Sequence, residues 1–402
     1  MLLFMPWCPI DQRYEVGDVE IIPFARDAAI GDLDEDRIRR VNSILASYKT
    51  IEGNPVPRAA LVRHRNKSAI DDLADDEIDL AYDLVTLACF SALSARDYFS
   101  PIGKYCNSES FTLYVQEFEG AEFTALTTRR RDGSLLNAWP LDGIAINVPL
   151  HCHATRDVTI DADLTAGLLG QFIESDDAEW GQWQNAISCF NQANTDSDSF
   201  RYQVEWVLLC SAFEHFLDAR ANAADVATRF ANDVIPTNEV VVRGARRRSQ
   251  LWREENQSVR YEWMREFYRV RGAFAHGRLN AQQPMVWTPR EHLILATIAF
   301  PLLVKAQLAR SGRYKLSRED QVQRNAFEGF ADTPDFLNVP ADQQGGLDST
   351  WRRFCQEERR RLRLADAMQA YEEIARQRDI EEQAAESSAI EEQATESSAE
   401  ER

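Results

Sequence analysis

The stretch YEWMREFYRVRGAFAHGRL, residues 261–279, decides how this chain is read. Trp263, Phe267, Val270 and Phe274 recur three or four residues apart and predict the buried face of an α-helix. Arg265, Arg269 and Arg271 decorate the remaining surface. Gly277 follows His276 directly, and a residue without Cβ suits the left-handed position that closes a helix. The helix is therefore expected to end at His276, about one and a half turns past Arg271.

Moving outward, helical periodicity holds from about residue 160 to 310, over 164–173, 177–193, 201–220, 223–234, 259–275 and 290–308. Residues 240–250 have no clear period and read as a loop or short helix. Upstream, 1–155 read as mixed α/β. The apolar run 2–10 suggests a first strand, with further strands at 19–24, 59–63, 111–118, 123–129 and 144–148. Asp132-Gly133 marks a hairpin, and helices are expected at 34–48 and 75–96. Downstream, loops at 333–346 precede a long charged helix over 349–377. A ten-residue tandem repeat, 380–389 and 390–399, follows as an acidic tail expected to fray or stay disordered. The expected fold class is α+β and multidomain: a mixed α/β module over 1–158, an all-α bundle over 160–312, a loop and long helix over 313–379, and the tail over 380–402.

The formal net charge of −20 argues against broad attraction to polyanions, so any nucleic-acid site must be local. Residues 243–278 supply one, with ten arginines against four glutamates. Arg246, Arg247, Arg248, Arg265, Arg269 and Arg278 are its candidate RNA contacts. Trp252, Tyr261, Trp263 and Tyr268 could stack on unpaired bases, although aromatics at helical spacing more often fill a core, and Trp263 is assigned there. Seven cysteines without CxxC pairs suit reduced thiols and a cytoplasmic location. The N-terminal apolar run has no preceding basic segment, and no stretch approaches the roughly 20 apolar residues of a membrane span. His151-Cys152-His153 lacks a nearby second pair, so neither metal nor cofactor is expected. Walker-type loops, GxSxG elbows and HExxH motifs do not occur.

Arg271 and His276 suit metal-free cleavage of RNA. An imidazole can move protons near neutral pH, and a guanidinium can stabilise charge on a pentacoordinate phosphorus. A helix-capping role for His276 is the plainer alternative. One chain offers a single such histidine, so a twofold dimer would supply the second proton-transfer group, with His215 in reserve. Of the other Arg-x(4–6)-His matches, Arg58 to His64 falls in a strand-like segment.

Over about residues 165–310 the chain resembles the HEPN superfamily, within it the Apea-like branch. The likeness rests on Arg271-GAFA-His276-Gly277, on Trp206-VLLCSAF-Glu214-HFLD and on Ala186-ISCFNQA. The resemblance implies a HEPN-like helical bundle and a metal-independent endoribonuclease acting as a homodimer through this domain, commonly in prokaryotic defence or toxin systems. It also implies that Glu214 helps build the site with Arg271 and His276. Gly272 stands where active members often carry Asn or Asp. A catalytically inactive module for RNA binding or assembly is the alternative reading.

Overall fold

The N-terminal part runs β1 (Leu2–Met5), β2 (Tyr14–Val16), β3 (Val19–Ala25), α1 (Glu35–Leu45), β4 (Tyr48–Lys49), β5 (Arg58–His64), α2 (Asp75–Ser94), β6 (Tyr114–Gln116), β7 (Ala125–Arg129), β8 (Leu135–Pro140) and β9 (Ile146–Asn147). Helices follow: α3 (Ala162–Glu174), α4 (Asp177–Gln192), α5 (Tyr202–Phe216), α6 (Ala223–Val234), α7 (Val259–Ala275), α8 (Pro289–Arg310), α9 (Arg318–Ala331) and α10 (Gly346–Glu400). This computed structural model describes residues 1–26, 34–96, 104–117, 125–129, 132–140, 144–152, 154, 157–197, 201–220, 222–234, 258–275, 285–333, 336–337 and 346–400. The class is α+β with a small antiparallel sheet.

Strand β1 shows why the sheet is covered on both sides. Side chains alternate along a strand, and all four residues of β1 are buried. Leu3 and Met5 join Val19, Ile21, Ala60 and Val62 beneath α2, while Leu2 and Phe4 join Phe24, Leu61 and the α1 residues Val41, Ile44 and Leu45. The strand order is β2-β3-β5-β1-β6, with antiparallel pairing throughout. The β2 to β3 turn needs Gly17, whose φ of 60° lies in the left-handed region. A buried cross-strand ion pair, Arg63 Nε to Glu20 at 2.7 Å, closes one end of the sheet.

Apolar contact does not break at residue 158. Phe90 of α2 lies edge-on to Phe190 of α4 at 5.4 Å, and Phe190 stacks on Phe300 of α8 at 5.0 Å. Arg96, buried past the end of α2, donates to Asn194 Oδ1 at 2.6 Å and to the carbonyl of Cys106. Helix α8 is long and apolar enough to cross a membrane by length and composition, with 78% of that window buried inside the protein. Burial also pushes the thiols of Cys8, Cys89 and Cys210 well up.

Several elements differ from the sequence expectation. The first strand stops at Met5, ahead of Pro6 and Pro9, and the 111–118 segment begins with a 3₁₀ turn at Ser108–Phe111 before the short β6. β2 and α9 arise where no element was expected. The long helix does not stop at Gln377 but continues through the repeat to Glu400, since Ala, Glu and Gln are all good helix formers. The expected Asp132-Gly133 hairpin joins β7 to β8.

A buried polar network locks α3, α8 and α9 together. Lys305 Nζ lies 2.8 Å from Asp320 Oδ1 and 3.5 Å from Asp161 Oδ2, and the Tyr314 hydroxyl donates to Asp320 Oδ2 at 2.8 Å. Burial pushes the Asp320 carboxyl up, but the Lys305 charge and the Ser317 and Tyr314 hydroxyls pull it further down, below its ordinary value. Removing one member strands the other charges, so Lys305→Ala is expected to lower the unfolding free energy by about 3–5 kcal/mol in urea titrations. A loss below about 1 kcal/mol would contradict this reading of the network. Because the folded carboxyl is the stronger acid, its contribution is complete above the unfolded value of 3.8 and fades as pH falls through the folded one. Asp320→Asn should flatten that part of the acid unfolding curve.

Candidate functional site

The site is built where α5 crosses α7. Trp206, Cys210 and Glu214 sit four residues apart and share one face of α5. Trp206 Nε1 donates to the Phe267 carbonyl at 2.9 Å, and its ring lies 4.9 Å from Phe267 and 5.1 Å from Phe274. Cys210 Sγ lies 3.9 Å from the same carbonyl. These contacts set the height of α5 along α7, and two turns beyond Trp206 they bring Glu214 Oε2 to 3.0 Å from Arg271 Nη1.

Tyr268 completes the group from one turn earlier on α7. Its hydroxyl accepts from Arg271 Nη1 at 2.9 Å, and the guanidinium carbon stands 5.3 Å from its ring centroid. Burial, and after it a hydrogen bond with Glu214, pushes the phenol up to about 12 against the opposing pull of Arg271. The phenol beside the Arg271 and Glu214 pair is thus uncharged at neutral pH. The side chains of Arg271 and Glu214 are 28% and 22% exposed, so the pair is partly open to solvent. Arg271 Nε is buried and has no hydrogen-bond partner among the described residues.

Arg271 and Glu214 are thus in contact, while His276 lies outside the described residues, α7 being helical through Ala275. Arg246, Arg247, Arg248, Arg278 and Trp252 also lie outside them. Arg265 is held by Glu262 at 3.4 Å and lies over the Tyr261 ring, whereas Arg269 is exposed. Tyr261 and Tyr268 are buried, so the base-stacking expectation does not hold for them, and Trp263 is fully buried in the core, where the sequence assigned it. His215 is exposed at the position after Glu214. Gly272 is exposed too, and a Cβ there would meet nothing within 4 Å. His151 Nε2 lies 3.6 Å from Glu109, and no group of three or more metal-ligating side chains occurs among the described residues.

No family model, curated protein or solved structure matches the chain. The site therefore has to be argued from its own geometry.

One part of that geometry was not anticipated. Glu266 is buried on the apolar face of α7, and its carboxylate accepts from the backbone N–H of Val286 at 2.9 Å, from that of Trp287 at 3.1 Å, and from His292 Nε2 at 3.0 Å. Trp206, Trp263, Phe267 and Trp287 surround the His292 ring. The Trp287 indole in turn donates to the Ala331 carbonyl of α9 at 2.8 Å. The chain that leaves α7 after Ala275 is thereby fastened back to the same helix, five residues before Arg271. The sequence signal was a carboxylate standing next to Phe267 on an otherwise apolar stripe.

Truncating Glu266 would leave two backbone donors and an imidazole without their acceptor. Glu266→Ala is expected to destabilise the fold by about 3–5 kcal/mol in chemical denaturation. Glu266→Gln, which keeps one acceptor oxygen, should lose less than half as much. Equal losses for the two variants would show that the acceptor is not what matters.

Proposed function

We propose that this protein is a metal-independent endoribonuclease of the HEPN type. In this reading Arg271 neutralises charge gathering on the phosphate, His276 transfers protons, and Glu214 with Tyr268 positions the guanidinium. The observation that carries the reading is the Arg271 to Glu214 contact at 3.0 Å: the carboxylate implied by resemblance as a site residue touches the arginine of the motif. A second support is donor capacity. Glu214 and Tyr268 both engage Nη1, and the guanidinium, in a side chain 28% exposed, carries further N–H donors beyond that nitrogen for a phosphate oxygen.

The chemistry balances without a metal. A base takes the proton of the ribose 2′-hydroxyl, the oxygen attacks phosphorus, and the P–O5′ bond breaks with a proton delivered to the leaving oxygen. The products are a 2′,3′-cyclic phosphate and a 5′-hydroxyl. Deprotonation and protonation at once need two groups, so a second chain would supply the other histidine, making the enzyme a homodimer through its helical bundle. Arg246, Arg247, Arg248 and Arg278, with the exposed Arg269, would track the RNA backbone. A role in prokaryotic defence belongs to the same proposal.

Labelled single-stranded RNA incubated with the purified protein in EDTA provides the test. Cleavage should leave 2′,3′-cyclic phosphate ends and fall by roughly a hundredfold or more in His276→Ala and in Arg271→Ala. Glu214→Gln should be impaired less than Arg271→Ala, because it disturbs the guanidinium without removing it. RNA binding without cleavage, unaffected by His276→Ala, would replace this reading with a noncatalytic RNA-binding module; cleavage that survives both alanine variants would place the chemistry elsewhere.

A further inference from the structure

Helix α10 spans 55 residues, about 80 Å, and only its first part lies on the bundle. Trp351, Phe354, Cys355 and Leu362 pack toward Val322 and Ala326 of α9. A Cβ on Gly329 of α9 would stand 2.8 Å from the Phe354 ring, so this position needs glycine. Ion pairs from Arg359 to Glu319 and from Arg318 to Asp366 tie the helix down. Beyond Leu362, every side chain from 363 to 384 is exposed.

On that protruding part Leu364, Ala367, Met368, Tyr371, Ile374 and Ala375 recur at intervals of three, one, three, three and one, which places all six on one side of the helix. Leu364, Met368, Tyr371 and Ile374 are each 55% to 74% exposed. This stripe points roughly opposite to the face that meets α9, so the protein's own bundle does not cover it. A contiguous apolar stripe left in water marks an interaction surface.

The charges beside the stripe say what covers it. Counted outward from Tyr371, charged residues flanking the stripe at equal distances carry opposite signs: Arg363 against Asp379, Arg361 against Glu381, and Arg360 against Glu382. No like-charged pair stands at equal distance anywhere between 355 and 387. In two antiparallel helices related by a twofold axis beside Tyr371, a residue before it faces the residue equally far after it on the other copy. Met368 would then meet Ile374, Ala367 would meet Ala375, Tyr371 would meet its own image, and the stem of Arg378 would cover Leu364. A parallel pair would set each arginine against itself and each acid against itself, which charge pairing disfavours.

We infer that α10 is a self-association surface, which pairs antiparallel with α10 of a second copy of this chain through the Leu364 to Ala375 stripe. Arg361 already has Glu358 at 3.0 Å but remains exposed enough to take a second partner. A partner of one charge sign would match only half of this helix. The surface is argued from α10 itself and does not rest on the nuclease reading.

Sedimentation of the full-length protein tests it. The wild type should self-associate through this arm, whether or not the bundles also pair. R360E/R361E/R363E and D379R/E381R/E382R should each weaken self-association by roughly tenfold or more, with unchanged helical circular dichroism. Mixing these two variants should restore dimers in either orientation, whereas the loss in each variant alone, together with its recovery when all six changes sit in one chain, requires the antiparallel arrangement. Tyr371→Cys should give a covalent dimer on oxidation. A monomeric wild type, a dimer indifferent to either reversal, or a combined variant that stays monomeric would each overturn the inference.

Discussion

A carboxylate enclosed by aromatic rings is stable only when hydrogen bonds satisfy its oxygens, and Glu266 meets that demand with three donors from outside its own helix. The consequence reaches beyond one side chain. Val286 and Trp287 must return to α7, His292 must present Nε2, and α8 must therefore begin where it does, at the capping box of Thr288 and Glu291. The rings of Trp206, Trp263 and Phe267 close around this arrangement, which sets the spacing of α5 and α7. Arg271 and Glu214 meet because that spacing is held.

The cluster on this frame combines permanence with adjustability. Arg271 is held from one side by a carboxylate and a phenol that stays protonated across the physiological range, since burial and Glu214 both oppose its ionisation. A guanidinium restrained in this way has already given up much of the rotational freedom that binding an anion would otherwise remove. Cys210 stands beside the pair, but its burial favours the thiol, and it acts as packing between the helices.

How much of this was legible in the sequence follows from which interactions are local. Helices α6 and α7 occupy the very spans that periodicity indicated, because strong apolar repeats are a local property. Helix α9 was readable in principle: Ser317 and Asp320 form a capping box, and Val322, Ala326, Phe327 and Phe330 follow at helical spacing, but the Pro- and Gly-containing segment after it drew the region toward a loop reading. Strand β2 is only three residues long, too short for alternation to register, although Gly17-Asp18 supplied the turn. At the site, Arg271 was marked by motif spacing and Glu214 by what the resemblance implies. Tyr268, one turn from Arg271 on the same helix, was read as a base-stacking ring, while the Glu266 to His292 pair depends on chain returning from elsewhere, which no local pattern encodes.

Gly329 gives α10 a further significance. With no side chain in the way, the Phe354 ring seats directly against α9, and the Phe330 ring lies 5.0 Å from that of Trp351. The next residue, Ala331, receives the Trp287 indole hydrogen bond, and the backbone of Trp287 is held by Glu266. One continuous set of contacts therefore joins the base of the arm to the acid that moors the chain after α7.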